Sequence, residues 1–335
     1  MRQALQRKKR AVSKTTSDLP GIQSLTEGIS FVLTEGGFTR GRVTILNRES
    51  NVYKSTSPCE IVTCRLADGQ ILKLLCKYST EQNYESHGHR GGVAYEAEVY
   101  RRVLGHSRNS VPRFYGTYAD VTRGQTWLIL EYVDNCLRLH EEPDSLIACA
   151  QWIGQFHAVC ENLEAEPQVS FLFSYDKKYY LGWARRASHF AGPLHQRFPW
   201  LDSLCRRFGE FTELLLECRK TVIHGEFYPK NILVRDSVIY PVDWESAAFG
   251  AGEIDLAALT DGWTDDIAEE CEVAYCKARW SEGRPSDFGQ RLDAAKAYLS
   301  FRWLGDNQEL TMEEDSLWYF ERLYVVGKRW GMIRE

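Results

Sequence analysis

The spacing of apolar residues changes near residue 135, and that change limits the chain to a mixed architecture. Before it, short extended runs dominate: Arg42 to Lys54, Glu60 to Ala67 and Ile71 to Tyr78, the last two joined by the strong hairpin turn Asp68-Gly69. Val93 to Leu104 then has apolar residues at helical spacing, followed by a strand to Tyr118 and the apolar run Trp127 to Val133. After Asn135 the texture is helical over Ser145 to Cys160, Ser203 to Cys218, Ala268 to Trp280 and Phe288 to Leu304. One island interrupts it, Thr221 to Trp244, with β runs at Ile232 to Val234 and Val238 to Val242. The pattern predicts an α+β chain of two lobes, a small antiparallel β N-lobe with one helix and a larger, mainly helical C-lobe. The expected divisions are a basic tail over 1–27, the N-lobe over 28–135 and the C-lobe over 136–335.

Charge follows the same division. The net charge of −5 separates into +5 over residues 1–20, +1 over 21–135 and −11 over 136–335. An acidic balance disfavours a dedicated nucleic-acid binder. No run of 18 apolar residues exists to span a membrane, and the basic start MRQALQRKKR has no apolar stretch behind it. A cytoplasmic protein is the expectation, with neither nucleic acid nor membrane as partner. The ten cysteines include no CxxC pair, which predicts reduced thiols packed as small hydrophobes.

The island carries the sharpest chemical signal. It reads His224-Gly225-Glu226-Phe227-Tyr228-Pro229-Lys230-Asn231, then a β run, a turn, and Pro241-Val242-Asp243-Trp244-Glu245. A carboxylate (Glu226) and an amide (Asn231) thus share one loop, and a second carboxylate (Asp243) stands at the end of a short hairpin. Phosphoryl transfer needs such parts: a carboxylate to take a hydroxyl proton, and oxygen ligands for Mg²⁺ on nucleotide phosphates.

Through His224, Asn231, Asp243 and Gly252-Glu253-Ile254-Asp255-Leu256-Ala257, the sequence resembles the aminoglycoside phosphotransferase/choline kinase family, relatives of the protein kinases. The resemblance covers roughly residues 40–310. It implies a protein-kinase-like fold, with ATP and Mg²⁺ between the lobes and transfer of the γ-phosphoryl group to a hydroxyl of a small-molecule acceptor. Glu226 stands where the family has aspartate, which implies either a reshaped acceptor pocket or a silent, nucleotide-binding pseudokinase or adaptor. Glutamate has similar basicity to aspartate, but its extra methylene moves the carboxylate.

By the same resemblance, His224 fixes the loop and Lys230 steadies the transferred group. Asn231 and Asp243 are the metal ligands, and Glu245 assists the metal or closes a salt bridge. A strand lysine, Lys77 in preference to Lys73, pairs with Glu96 and reaches the phosphates. Ser55-Thr56-Ser57 is a candidate phosphate-covering tip, and Glu131 and Val133 offer main-chain groups to adenine. His157 reads as a core histidine. Six acids lie within residues 261–272 (Asp261, Asp265, Asp266, Glu269, Glu270 and Glu272), and they suggest a cationic or neutral acceptor.

Overall fold

The computed structural model describes residues 19–51, 57–79, 87–106, 110–163 and 166–333. Helix α1 (Ile22–Glu35) comes first, then strands β1 (Thr44–Ser50), β2 (Cys59–Arg65) and β3 (Ile71–Tyr78), helix α2 (Gly92–Arg102), and strands β4 (Phe114–Asp120) and β5 (Gln125–Glu131). The strands form one antiparallel sheet in the order β1-β2-β3-β5-β4. Alternation gives this sheet two buried faces. Leu74, Cys76, Tyr78, Trp127 and Ile129 pack with Leu25, Ile29, Val32 and Leu33 of α1. Leu128 and Leu130 belong instead to the large core that includes α2 and the helical region.

Two sequence expectations change here. The sheet region has a second helix, α1, and the expected tail boundary at residue 28 falls inside it. Burying Leu25, Ile29, Val32 and Leu33, each worth about 1.5–3 kcal/mol, makes this segment part of the fold.

The rest of the chain is mainly helical. It runs through β6 (Leu137–Arg138), α3 (Leu146–Cys160), β7 (Phe173–Ser174), α4 (Lys177–Phe190), α5 (Leu201–Arg207) and α6 (Gly209–Glu217). There follow β8 (Thr221–Ile223), β9 (Ile232–Arg235), β10 (Val238–Pro241), β11 (Ala248–Gly250), α7 (Glu253–Leu259), α8 (Asp265–Arg279), α9 (Phe288–Leu304), α10 (Gln308–Thr311) and α11 (Leu317–Arg329). The single helix expected over Ser203 to Cys218 is two, α5 and α6, divided at Phe208 ahead of Gly209, a poor helix former. Helix α9 is buried along most of its length and packs against α4, α6, α7 and α11. Among the described residues no helix is long and apolar enough to cross a membrane. All ten cysteines are free, and seven of them are buried hydrophobes with thiol pKa values raised by burial: Cys64, Cys76, Cys149, Cys160, Cys218, Cys271 and Cys276.

Candidate active site

The island 221–244 folds as β8, a loop, and the hairpin β9–β10. Asp236 and Ser237 both take positive φ (51° and 62°), the backbone that a two-residue hairpin turn requires. In the loop, Gly225 has φ 77°, and a Cβ there would stand 2.4 Å from the Ser246 carbonyl oxygen. Only glycine fits. Asp255, fully buried in α7, holds the loop from below: Oδ2 accepts the His224 N–H at 2.6 Å and Oδ1 the Gly225 N–H at 2.9 Å. His157 is buried as expected, and its Nε2 lies 3.2 Å from the same carboxylate.

His224 uses both ring nitrogens. Nε2 donates to the Val242 carbonyl at 3.0 Å and Nδ1 accepts the Glu226 N–H at 3.3 Å. Burial holds its pKa below the ordinary range, so this neutral ring ties the loop to the end of β10. Asn231 Nδ2 donates to the Glu226 carbonyl at 3.0 Å. Lys230 lies at the rim with its ammonium 5.5 Å from the Tyr228 ring centroid.

Strand β3 and helix α2 bring a second group to the same place. Lys77 Nζ lies 2.8 Å from Glu96 Oε2 and 2.8 Å from Asp243 Oδ1. Glu96 is almost fully buried, and its Oε1 also accepts the Trp244 N–H at 3.2 Å. Burial alone would lower the Lys77 pKa, but the charges of Asp243 and Glu96 outweigh it and raise it well above normal. Burial opposes ionisation of Asp243, and Lys77 overcomes it, holding the carboxyl below its ordinary range. Asp243 itself sits in the left-handed region (φ 71°, ψ 57°), a strained backbone for a residue with a Cβ.

The other expected residues are placed as follows. Lys73 does not join this group: its Nζ pairs with Asp134 at 3.2 Å and lies 4.7 Å from the Tyr132 ring centroid. Register explains the difference, because four residues along β3 carry Lys73 to the opposite end of the strand. Glu131 commits its N–H to the Arg113 carbonyl and its Oε2 to the Arg113 N–H. Val133 is buried, with its carbonyl accepting the Cys136 thiol at 3.0 Å. Glu245 is buried, and its carbonyl accepts the Gly91 N–H ahead of α2 at 2.8 Å. Ser55 and Thr56 lie outside the described residues, and Ser57 opens the segment leading into β2.

Two neighbours of Glu226 escaped the sequence reading. Arg302, buried in the last turn of α9, donates to Glu226 Oε1 at 2.7 Å and to the Gly225 carbonyl at 2.6 Å. Arg90 reaches the same Glu226 oxygen at 3.1 Å. A lone arginine in the apolar stretch Tyr298 to Leu304 was the available signal for the first; nothing local marks the second.

The donor set fits a hard cation. Mg²⁺ keeps several waters and takes one or two protein oxygens beside substrate phosphates. Asp243 Oδ2 has no hydrogen bond among the described residues, and Asn231 turns its amide nitrogen away to Glu226, leaving oxygen as its donor atom. No cluster of three His, Cys, Asp or Glu side chains that could hold a metal occurs among the described residues. In the acidic stretch, Asp261 is paired with Arg322 at 2.5 Å, Glu272 lies 3.5 Å from Lys296, and Asp265, Asp266, Glu269 and Glu270 are exposed.

Residues 77–287, from the paired lysine to beyond Asp255, match the phosphotransferase enzyme family. The chain belongs to this family. The phosphotransferase is similar in structure to a choline kinase, LicA from Streptococcus pneumoniae, with a TM-score of 0.60 and 12% identity over 92% of this chain and 98% of that one. It is also similar to wild-type aminoglycoside 2'-phosphotransferase-IIIa in its GDP complex, with a TM-score of 0.58 and 13% identity over 92% and 98% of the two chains. A third likeness is to the streptomycin–ATP complex of APH(2")-IIa, with a TM-score of 0.57 and 10% identity over 92% and 97%. At such identities the likeness establishes the fold, which is protein-kinase-like: an antiparallel N-terminal sheet and a mainly helical C-terminal region. No curated protein matches the chain.

Proposed function

We propose that this phosphotransferase moves the γ-phosphoryl group of ATP to a hydroxyl of a small-molecule acceptor. The observation that carries the reading is the meeting of Lys77, Glu96 and Asp243 beside a loop bearing Glu226 and Asn231, from elements as much as 166 residues apart. In this reading residues 22–135 serve the nucleotide and residues 136–335 the acceptor. Lys77, oriented by Glu96, binds the phosphates as a fixed cation, and the main chain beyond β5 near Val133 faces the base. Asn231 and Asp243, with Glu245 behind them, would hold Mg²⁺, which when bound neutralises phosphate charge.

Glu226 orients the acceptor hydroxyl. The hydroxyl oxygen forms a bond to the γ-phosphorus, the bond to the β-phosphate oxygen breaks, and the hydroxyl proton passes to the Glu226 carboxylate or to water. Arg302 and Arg90 fix that carboxylate by holding one oxygen. Lys230, at the rim of the same loop, steadies the phosphoryl oxygens in flight.

The same pair of arginines motivates a second reading. A carboxylate so engaged is a poor acceptor of a proton, which suits a nucleotide-binding adaptor that transfers nothing. Incubation with labelled ATP, Mg²⁺ and a panel of hydroxylated acceptors separates the two. Labelled product that disappears in Glu226→Ala supports the enzyme; tight ATP binding without product on any acceptor supports the adaptor.

A further inference from the structure

A cleft of about 390 Å³ opens along the outer face of α4. Lys178, Arg185, Arg186 and His189 line it from that helix, and His87 lines it from the segment leading into α2. Lys178, Gly182, Arg185 and His189 recur at steps of four, three and four, which places them on one stripe of the helix. The stripe is interrupted at Gly182, where a Cβ would stand 2.3 Å from the His87 ring, so the absence of a side chain lets that ring lie against the helix. His87 is held there by its Nε2, which donates to the Tyr179 carbonyl at 3.2 Å, and by edge contact with Trp183.

The cleft collects positive charge without neutralising it. No carboxylate lines it among the described residues. Lys178 and Arg185 form no ion pair among the described residues, and Arg186 donates to the main-chain carbonyls of Gly305 and Asp306 at 2.8 and 3.4 Å. Burial lowers the His87 pKa, and the charges of Arg186 and Arg185 push it the same way. The whole of α4 carries four lysines and arginines and no acid, within a region whose net charge is −11.

Two short spans tie the cleft to the loop of Glu226. Arg186 rests on Gly305, three residues past Arg302, and His87 lies three residues before Arg90. Both of those arginines hold Glu226. Three residues of chain reach at most about 10 Å, and the arginine side chains bridge the rest of the span to Glu226.

We propose that this cleft binds a phosphate-class oxyanion carried by the acceptor itself, so that the substrate is a phosphorylated hydroxyl compound. Three permanent cations exceed what one carboxylate neutralises, and the guanidinium fork of Arg185, which has no ion pair among the described residues, suits the paired oxygens of a phosphate. The assignment rests on the phosphotransferase reading above and takes the place of the cationic or neutral acceptor suggested by lobe charges alone.

The test uses the full chain with inorganic phosphate as probe, by calorimetry at constant ionic strength with chloride as the control. Saturable binding is expected, weakened about tenfold or more by Lys178→Ala with Arg185→Ala and abolished by Arg185→Glu. Both side chains are exposed, so the variants keep the parent's melting temperature. Lys77→Met, which alters the nucleotide side, leaves phosphate binding in place at a temperature where circular dichroism shows the variant folded. Absence of saturable binding, or binding that Lys77→Met removes and the α4 variants leave unchanged, overturns the proposal.

With ATP, phosphorylated acceptors are expected to exceed their unphosphorylated parents about tenfold in kcat/KM, an advantage lost in Arg185→Glu. Preference for the unphosphorylated parents overturns the acceptor assignment. Binding of a non-hydrolysable ATP analogue, measured on the same samples, separates the two readings. Loss of nucleotide binding with phosphate binding retained refutes the phosphotransferase reading and leaves the anion site standing.

Discussion

Replacing Asp255 by alanine is expected to loosen the loop of Glu226 by removing what lies beneath it. The Asp255 carboxylate is fully buried and accepts two main-chain N–H groups, from His224 at 2.6 Å and Gly225 at 2.9 Å, with His157 Nε2 at 3.2 Å as a third partner. His224 and His157 are themselves fully buried, so water does not readily replace the lost acceptor. Each orphaned buried donor costs about 1–3 kcal/mol, and the three sum to roughly 3–9 kcal/mol, a large part of a typical domain's stability. Asp255→Asn keeps one oxygen but turns an NH₂ toward a donor, and is expected to cost about 1–3 kcal/mol. Urea unfolding followed by circular dichroism measures both, and native-state hydrogen exchange at His224 and Gly225 shows whether the loss is local. A shift of Asp255→Ala below about 1 kcal/mol, or an asparagine variant less stable than the alanine one, refutes the reasoning.

Other expectations follow from the same geometry. Lys77→Met leaves Glu96 buried without its cation and costs about 3–5 kcal/mol; adding Glu96→Gln recovers part of it, measured as denaturation midpoints. Lys73→Met disturbs a partly exposed pair with Asp134, so stability changes by less than about 1 kcal/mol and ATP-analogue affinity by less than about threefold. Burial lowers the His89 pKa to about 4, against 6.5 when solvated. The unfolded chain therefore binds the extra proton first as pH falls, and stability present above pH 6.5 declines toward pH 4, by roughly 1–2 kcal/mol after allowance for partial exposure. His89→Phe, which preserves the stack on Phe173, flattens that part of the profile, while buried His157 and His224 maintain a residual slope.

Local pattern was enough for the parts that are local. The hairpin at Asp236-Ser237, the paired strands β2 and β3 and the helix α9 all carry their signals within a few residues. The ordering of Glu226, Asn231 and Asp243 along one hairpin was legible for the same reason. Helix α1 was not, because Gly28, Ser30, Thr26 and an uncapped Gly21 start dilute its propensity, and the stabilising partner is a sheet encoded later in the chain. Helix α4 was missed too: its buried residues are tyrosine, glycine, tryptophan and alanine, a weak apolar signal, set among four cations. Arg90 and Arg302 meet Glu226 across 136 and 76 residues, a distance at which spacing carries no information.

The division of the core decides which region α2 belongs to. Helix α2 lies in sequence between the sheet strands, yet Val93, Ala97, Tyr100 and Val103 are packed into the core of the helical region. It is tied there again through Gly91 N–H to Glu245, Tyr95 Oη to the Ala247 carbonyl, and Glu96 to Trp244 N–H. One face of the sheet shares a separate core with α1, while Leu128 and Leu130 on the other face join the core of α2. Glu96 and Asp243 are thus held in one body, and Lys77 is the side chain that joins strand β3 to both of them. The lysine is therefore a cross-link between the sheet and the helical region as well as a buried charge.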